Sequence, residues 1–147
     1  MSGEPIIILL VEDDPAHAEI VRRNFVNFRM ANRPVQLVHV ADGEDALDYL
    51  FSRGKFQNPG LSPRPNLILL DLRLPKVDGL EVLKIVKADA DLVSIPVVVL
   101  TTSSAEADVA KAYGNHVNSY LVKPMELSQF NKLMDAIGFY WLVWNQL

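Results

Sequence analysis

A few polar residues stand immediately after short apolar runs, and their types carry the chemistry. Glu12, Asp13 and Asp14 follow the run Ile6–Val11, Asp71 follows Leu67–Leu70, Thr101 follows residues 95–100, and Lys123 follows Ser119–Val122. Carboxylates gathered in one place repel each other unless a cation joins them. A donor set of oxygens without His or Cys favours a hard ion such as Mg²⁺. A lysine and a hydroxyl in the same place suit an incoming phosphoryl group. An aspartate can act as a nucleophile and form an acyl phosphate. The chemistry open to this set is Mg²⁺-assisted phosphoryl transfer to a carboxylate.

That chemistry needs a scaffold that brings residues 12, 13, 71, 101 and 123 to one place. Ile6–Val11 is continuous and mostly β-branched, the pattern of a strand buried on both faces. Asp14-Pro15 reads as an N-cap and first helical residue, and Ala18, Val21, Phe25 and Phe28 follow at helical spacing. Pro34 is expected to break the chain before a second strand over residues 35–40. Asp42-Gly43 leads into a helix carrying Ala46, Leu47, Leu50 and Phe51. Residues 52–65, rich in Gly, Pro, Ser and Asn, form a loop that is long for an α/β domain. Leu67–Leu70 is a third strand. Leu80, Val82, Leu83 and Val86 mark a third helix. Residues 95–100 make a fourth strand, 105–113 a short helix and Ser119–Val122 a fifth strand. A last helix starts near Glu126. The expectation is an α/β fold, a (βα)5 doubly wound parallel sheet of five strands forming one domain over residues 1–147, with a core at about 6–138. Open sheets of this kind bind ligands beyond the carboxyl ends of their strands, where all the polar residues named above fall.

Composition narrows the alternatives. The 147 residues suit one domain with one core, half of them are apolar, and 22% are charged, which is ordinary for a globular protein. The formal charge is −4 with no Lys/Arg cluster, which argues against a nucleic-acid interface and a polybasic membrane surface. The chain has no cysteine, which excludes disulfides, thiolate chemistry and cysteine-ligated metals. Its first apolar run is far shorter than the roughly 20 residues needed to span a bilayer, and no basic stretch precedes it. A cytoplasmic location is expected.

Four motifs in order, Glu12-Asp13, the segment from Leu70 and Asp71 through Pro75 to Asp78-Gly79, Thr101-Thr102 and Lys123-Pro124, resemble the receiver domains of bacterial response regulators. The resemblance extends over about residues 6–138 and implies the flavodoxin-like receiver fold. It implies that Asp71 accepts a phosphoryl group from a histidine kinase. It makes Asp13 a direct Mg²⁺ ligand beside Asp71, the backbone carbonyl of Arg73 a further ligand, and Glu12 a neighbour acting through water. Thr101 would bond a phosphoryl oxygen and Lys123 would pair with the phosphorylated carboxylate, with a cis peptide before Pro124. Tyr120 matches the aromatic switch position, and the fourth helix, fifth strand and fifth helix would form the readout face. Two side chains depart from the common pattern: the long cation Arg73, expected over the site entrance, and Thr102, larger than the usual Ala or Gly.

A narrower resemblance rests on residues 53–59, Pro63-Arg64-Pro65, residues 96–103 and the terminal Phe139-Tyr140-Trp141-Leu142. These are similar to single-domain regulators that partner phytochrome-type histidine kinases, which implies a red-light sensor kinase as phosphodonor and a homodimer. The tail supports the dimer independently, because one helix face cannot bury nearly every residue from 137 to 144 in its own domain. Phe139, Tyr140, Trp141 and Trp144 are the expected interface residues.

Two other function classes compete. Phosphatases that form an aspartyl phosphate commonly place a second Asp two residues after the nucleophile, where this chain has Arg73. A degenerate receiver scaffold tends to lose its acids or its lysine, and all are present here. A dinucleotide-binding domain fits poorly because no Gly-rich turn follows the first strand. The reading is therefore a signalling phosphoacceptor rather than a turnover enzyme, with another protein rather than DNA as its output. His17, His39 and His116 are scattered without ligand spacing and read as surface or partly buried side chains.

Overall fold

The computed structural model describes residues 5–25, 29–30, 33–58, 60, 62–102 and 106–138. All six residues of β1 (Ile6–Val11) are buried, because helices cover both faces of the strand. Ile6, Ile8 and Leu10 point to one core with Ala18, Val21 and Phe25 of α1 (Pro15–Phe25), and with Phe130, Met134 and Ile137 of α5 (Leu127–Gly138). Leu9 and Val11 point to the opposite core. There they meet Ala46, Leu47 and Tyr49 of α2 (Gly43–Leu50), and Val82, Leu83 and Val86 of α3 (Gly79–Ala88). The two-residue period of a strand divides one apolar run between two cores.

The remaining elements are β2 (Arg29–Met30), β3 (Arg33–Val40), β4 (Leu67–Leu70), β5 (Val97–Thr101), α4 (Glu106–Gly114) and β6 (Ser119–Val122). The sheet order is β2-β3-β1-β4-β5-β6. Five of these strands are parallel, as the alternating sequence pattern predicts. The sixth is the correction: β2 pairs antiparallel with the start of β3, Arg29 opposite Pro34. Pro34 therefore lies inside a strand rather than breaking the chain before one. A residue without an N–H is tolerated at the sheet margin, where a ladder bond is dispensable. The loop over residues 52–65 contains a 3-10 turn at Gly54–Phe56, and Tyr49 fastens it by donating its hydroxyl to the Pro63 carbonyl at 2.7 Å.

At the amino end of the sheet two asparagines play the same part. The Asn66 main-chain N–H donates to the Ile7 carbonyl at 2.7 Å while the Ile7 N–H donates to Asn66 Oδ1 at 2.8 Å. Asn118 repeats this with Val97, at 3.0 and 2.8 Å. Each side-chain amide satisfies a main-chain donor at the margin of the parallel ladder.

Candidate functional site

At the carboxyl end, three of the chemistry-bearing residues occupy the first position beyond a strand, each held by one further main-chain bond to the neighbouring strand. The Glu12 N–H donates to Val40 at 3.0 Å, the Asp71 N–H to Val11 at 3.0 Å, and the Lys123 N–H to Thr101 at 2.7 Å. Thr101 itself closes β5 opposite Val122 and is fully buried. Carboxylate oxygens of Glu12, Asp13 and Asp71 lie within 4.8 Å of one another. Glu12 and Asp71 are buried while Asp13 is exposed, so the pocket opens to solvent on the side of Asp13. Asp14 caps α1, accepting the Ala16 N–H at 2.9 Å, as its place before Pro15 predicts.

Glycine is required beside this pocket. A Cβ on Gly79 would lie 2.2 Å from the Asp71 carbonyl oxygen, and one on Gly43 would lie 1.9 Å from that of Val77. The segment 71–79 is thus pressed between the starts of α2 and α3, and the Asp78-Gly79 pair of the sequence motif marks one of those two contacts.

Lys123 is buried among the acids. Its ammonium donates to Glu12 Oε1 and, at 3.2 Å, to Asp71 Oδ2. Burial pushes the Glu12 carboxyl up to about 7; the Lys123 contact opposes that shift and the neighbouring Asp71 adds to it. Three carboxylates face one ammonium, an imbalance that a divalent cation corrects. The donor set is oxygen throughout, as a hard cation requires. The residues therefore fit a divalent metal ion.

Other expected residues are placed as follows. The Arg73 main-chain N–H donates to Asp71 Oδ1 at 3.3 Å, which sets the main chain of Arg73 beside the carboxylate. Its guanidinium reaches away from the carboxylates to Asp108 on α4. Thr102 is exposed. Tyr120 is partly buried against the α2–α3 core. The described residues contain no cis peptide, so the bond before Pro124 is trans, contrary to the expectation; trans is the form that X–Pro bonds ordinarily favour. Phe139, Tyr140, Trp141 and Trp144 lie outside the described residues.

One site residue was not foreseen. His17, in the first turn of α1, accepts a hydrogen bond from Lys123 Nζ through Nδ1 at 3.0 Å. Its position four residues after Asp13 was the available signal, since the first turn of the first helix must overlie the end of β1.

The fold, the acid cluster and the buried lysine at the strand ends define a class. The sequence profile of the response regulator receiver domain matches residues 8–137, and the chain belongs to that family. It is 46% identical over 143 residues to the probable methanogenesis regulatory protein FilR2 of Methanothrix harundinacea, covering 97% of this chain and 88% of FilR2. It is 45% identical over 141 residues to the response regulator Rcp1 of Synechocystis, covering 96% and 92%. The crystal structure of Rcp1 in its Mn²⁺-bound form superposes with a TM-score of 0.88 over 95% of this chain and 96% of that one. The phosphorylated cyanobacterial phytochrome response regulator RcpA superposes with a TM-score of 0.87 at 42% identity, over 95% of each chain. Among the described residues no helix is long and apolar enough to cross a membrane.

Proposed function

We propose that the protein accepts a phosphoryl group on Asp71 from a histidine kinase of the phytochrome type, and that this switches its contacts with other proteins. The observation that carries the reading is the convergence of Glu12, Asp13 and Asp71 within 4.8 Å, with Lys123 Nζ 3.2 Å from Asp71. A carboxylate oxygen of Asp71 attacks phosphorus; an O–P bond forms while the bond to the leaving group breaks, and the leaving group keeps the electron pair. Asp13, Asp71 and the Arg73 carbonyl would hold Mg²⁺, with Glu12 acting through water. When bound, the ion draws charge from the phosphoryl oxygens. Lys123 and the Thr101 hydroxyl donate to those oxygens. The Thr101 hydroxyl is buried one strand from Tyr120, so a shift of Thr101 toward the phosphoryl group frees space into which Tyr120 turns.

Three further points belong to this reading. The Mn²⁺-bound form of Rcp1 supports a divalent ion at the site, and RcpA, a phytochrome response regulator obtained phosphorylated, supports the kinase class. The protein is a phosphoacceptor in the cytosol rather than a turnover enzyme. It forms a homodimer through α4, β6, α5 and the aromatic segment after residue 138. Tyr113, Val122, Met125 and Leu127 are large apolar side chains exposed on or beside those elements, as a face awaiting a partner requires.

Incubation with Mg²⁺ and acetyl phosphate followed by intact mass spectrometry tests the reading. Wild type gains one phosphoryl mass and Asp71→Asn gains none. A gain in both would place the acceptor elsewhere. A gain in neither, repeated with a phytochrome-type kinase as donor, would leave a phosphorylation-independent scaffold.

A further inference from the structure

Among the described residues, His17 is the one group against Lys123 that the phosphoryl chemistry leaves without a task. An ammonium carries three protons and accepts nothing. Lys123 has three acceptors around it: Glu12 Oε1, Asp71 Oδ2 at 3.2 Å and His17 Nδ1 at 3.0 Å. Its donors are therefore fully used. Because a lysine can only donate, Nδ1 is the accepting atom of this contact. An oxygen of an arriving phosphoryl group is a fourth acceptor, so one of the three must let go. Hydrogen bonds to ionised acceptors are roughly twice as strong as those to neutral ones. The imidazole nitrogen is the acceptor of the three that belongs to no carboxylate, and it is the one to be displaced.

We propose that His17 is a positioning residue. It holds the third proton of Lys123 in the resting protein and yields it to the phosphoryl group. This rests on the assignment of Asp71 as phosphoacceptor. The exchange reaches beyond the pocket. The His17 ring lies against Phe130 of α5, with centroids 5.8 Å apart and planes inclined at 44°, and Nδ1 is also 3.6 Å from the Asp14 carboxylate. Once Lys123 turns away, the ring loses that hydrogen bond and keeps its packing against Phe130. A change at the acid pocket is thereby passed to α5, on the side of the sheet opposite Tyr120.

Two variants separate this role from packing. In His17→Asn the side-chain oxygen takes the place of Nδ1, two bonds from Cβ. His17→Leu keeps the branching and has no acceptor. Labelling by acetyl phosphate, followed by intact mass, reads the rate. His17→Leu is expected to react about ten-fold faster than wild type, the factor equivalent to about 1.5 kcal/mol for one hydrogen bond to a charged group, and His17→Asn to react at the wild-type rate. Imidazole ¹⁵N NMR gives the second reading. With Mg²⁺ and beryllofluoride the Nδ1 resonance of His17 moves in wild type and stays in Asp71→Asn. A wild-type protein that labels while His17→Leu reacts no faster, or in which both variants react alike, overturns the proposal and leaves the phosphoacceptor in place. An unmoved Nδ1 resonance in a protein that labels does the same. A wild type that takes no label from any donor overturns both.

Discussion

Three inner strands of this sheet and its edge strand β6 are built to opposite standards. Every residue of β1, β4 and β5 is buried. In β6 none of the four is fully buried, and Val122 is 45% exposed. Glu12 and Asp71 continue two of the central strands and Thr101 ends the third. Lys123 and Tyr120 belong to the edge. The acids that must hold a fixed geometry thus stand on the rigid part of the molecule. Tyr120, expected to turn, stands on the strand that is least buried of these four.

The largest test of this comparison is packing. Leu69→Ala in β4 should lower the unfolding free energy by about 2–5 kcal/mol, whereas Val122→Ser in β6 should stay within about 0.5 kcal/mol. Urea denaturation measures both, and similar losses would erase the distinction. Next in size is Gly79→Ala. Its added carbon would meet the Asp71 carbonyl, and we expect a loss of about 1–3 kcal/mol, as for other forced overpacking, together with slower labelling of Asp71. A variant as stable and reactive as wild type would mean that the loop gives way freely.

The rigid side also predicts a pH effect. The Glu12 carboxyl, raised to about 7, is mostly protonated at pH 6 and mostly ionised at pH 8, and a metal ion favours the ionised form. Mg²⁺ affinity should therefore rise with pH over that interval, by up to about ten-fold for one released proton. Glu12→Gln should flatten the dependence. Calorimetric titration at several pH values measures it, and a steep dependence persisting in Glu12→Gln would assign the proton to another group.

The smallest effect joins the two regions. Arg73, two residues after Asp71, pairs with Asp108 on α4, a helix beside the edge strand; its side chain is 61% exposed against 10% for Asp108. A double-mutant cycle of Arg73→Ala and Asp108→Asn should return a coupling of about 0.5–1 kcal/mol. A value of zero would leave α4 unconnected to the segment after Asp71 through this pair.

The two regions also differed in how far they could be read from sequence. Ile6–Val11 and Leu67–Leu70 announce buried strands by composition alone, and Asp14-Pro15 announces the start of α1. Strand β2 has two residues and no period to detect. The meeting of Glu12, Asp71, Thr101 and Lys123 was legible because parallel strands carry their carboxyl ends to one side. The contact of His17 with Lys123 was not, because it depends on how α1 lies over an edge strand 106 residues later in the chain. The depth at which Glu12 is buried, and hence its raised pKa, depends on the packing of neighbouring elements that no local pattern records. The reach of Arg73 to Asp108 is likewise a tertiary choice: a long cation near a carboxylate pocket has several partners to select from.

Asn66 stands five residues before Asp71, and Asn118 stands five residues before Lys123. Each asparagine fastens its own strand to the neighbouring one at the far end of the sheet. At about 3.3 Å per residue, five residues measure about 16 Å, so the two pins act as equal gauge lengths ending at Asp71 and Lys123. A slip of one residue at either pin would displace its partner by about 3.3 Å, as much as the whole 3.2 Å separating Lys123 Nζ from Asp71. The tolerance of the pocket is therefore set at the opposite end of the molecule, by two uncharged amides that never approach it.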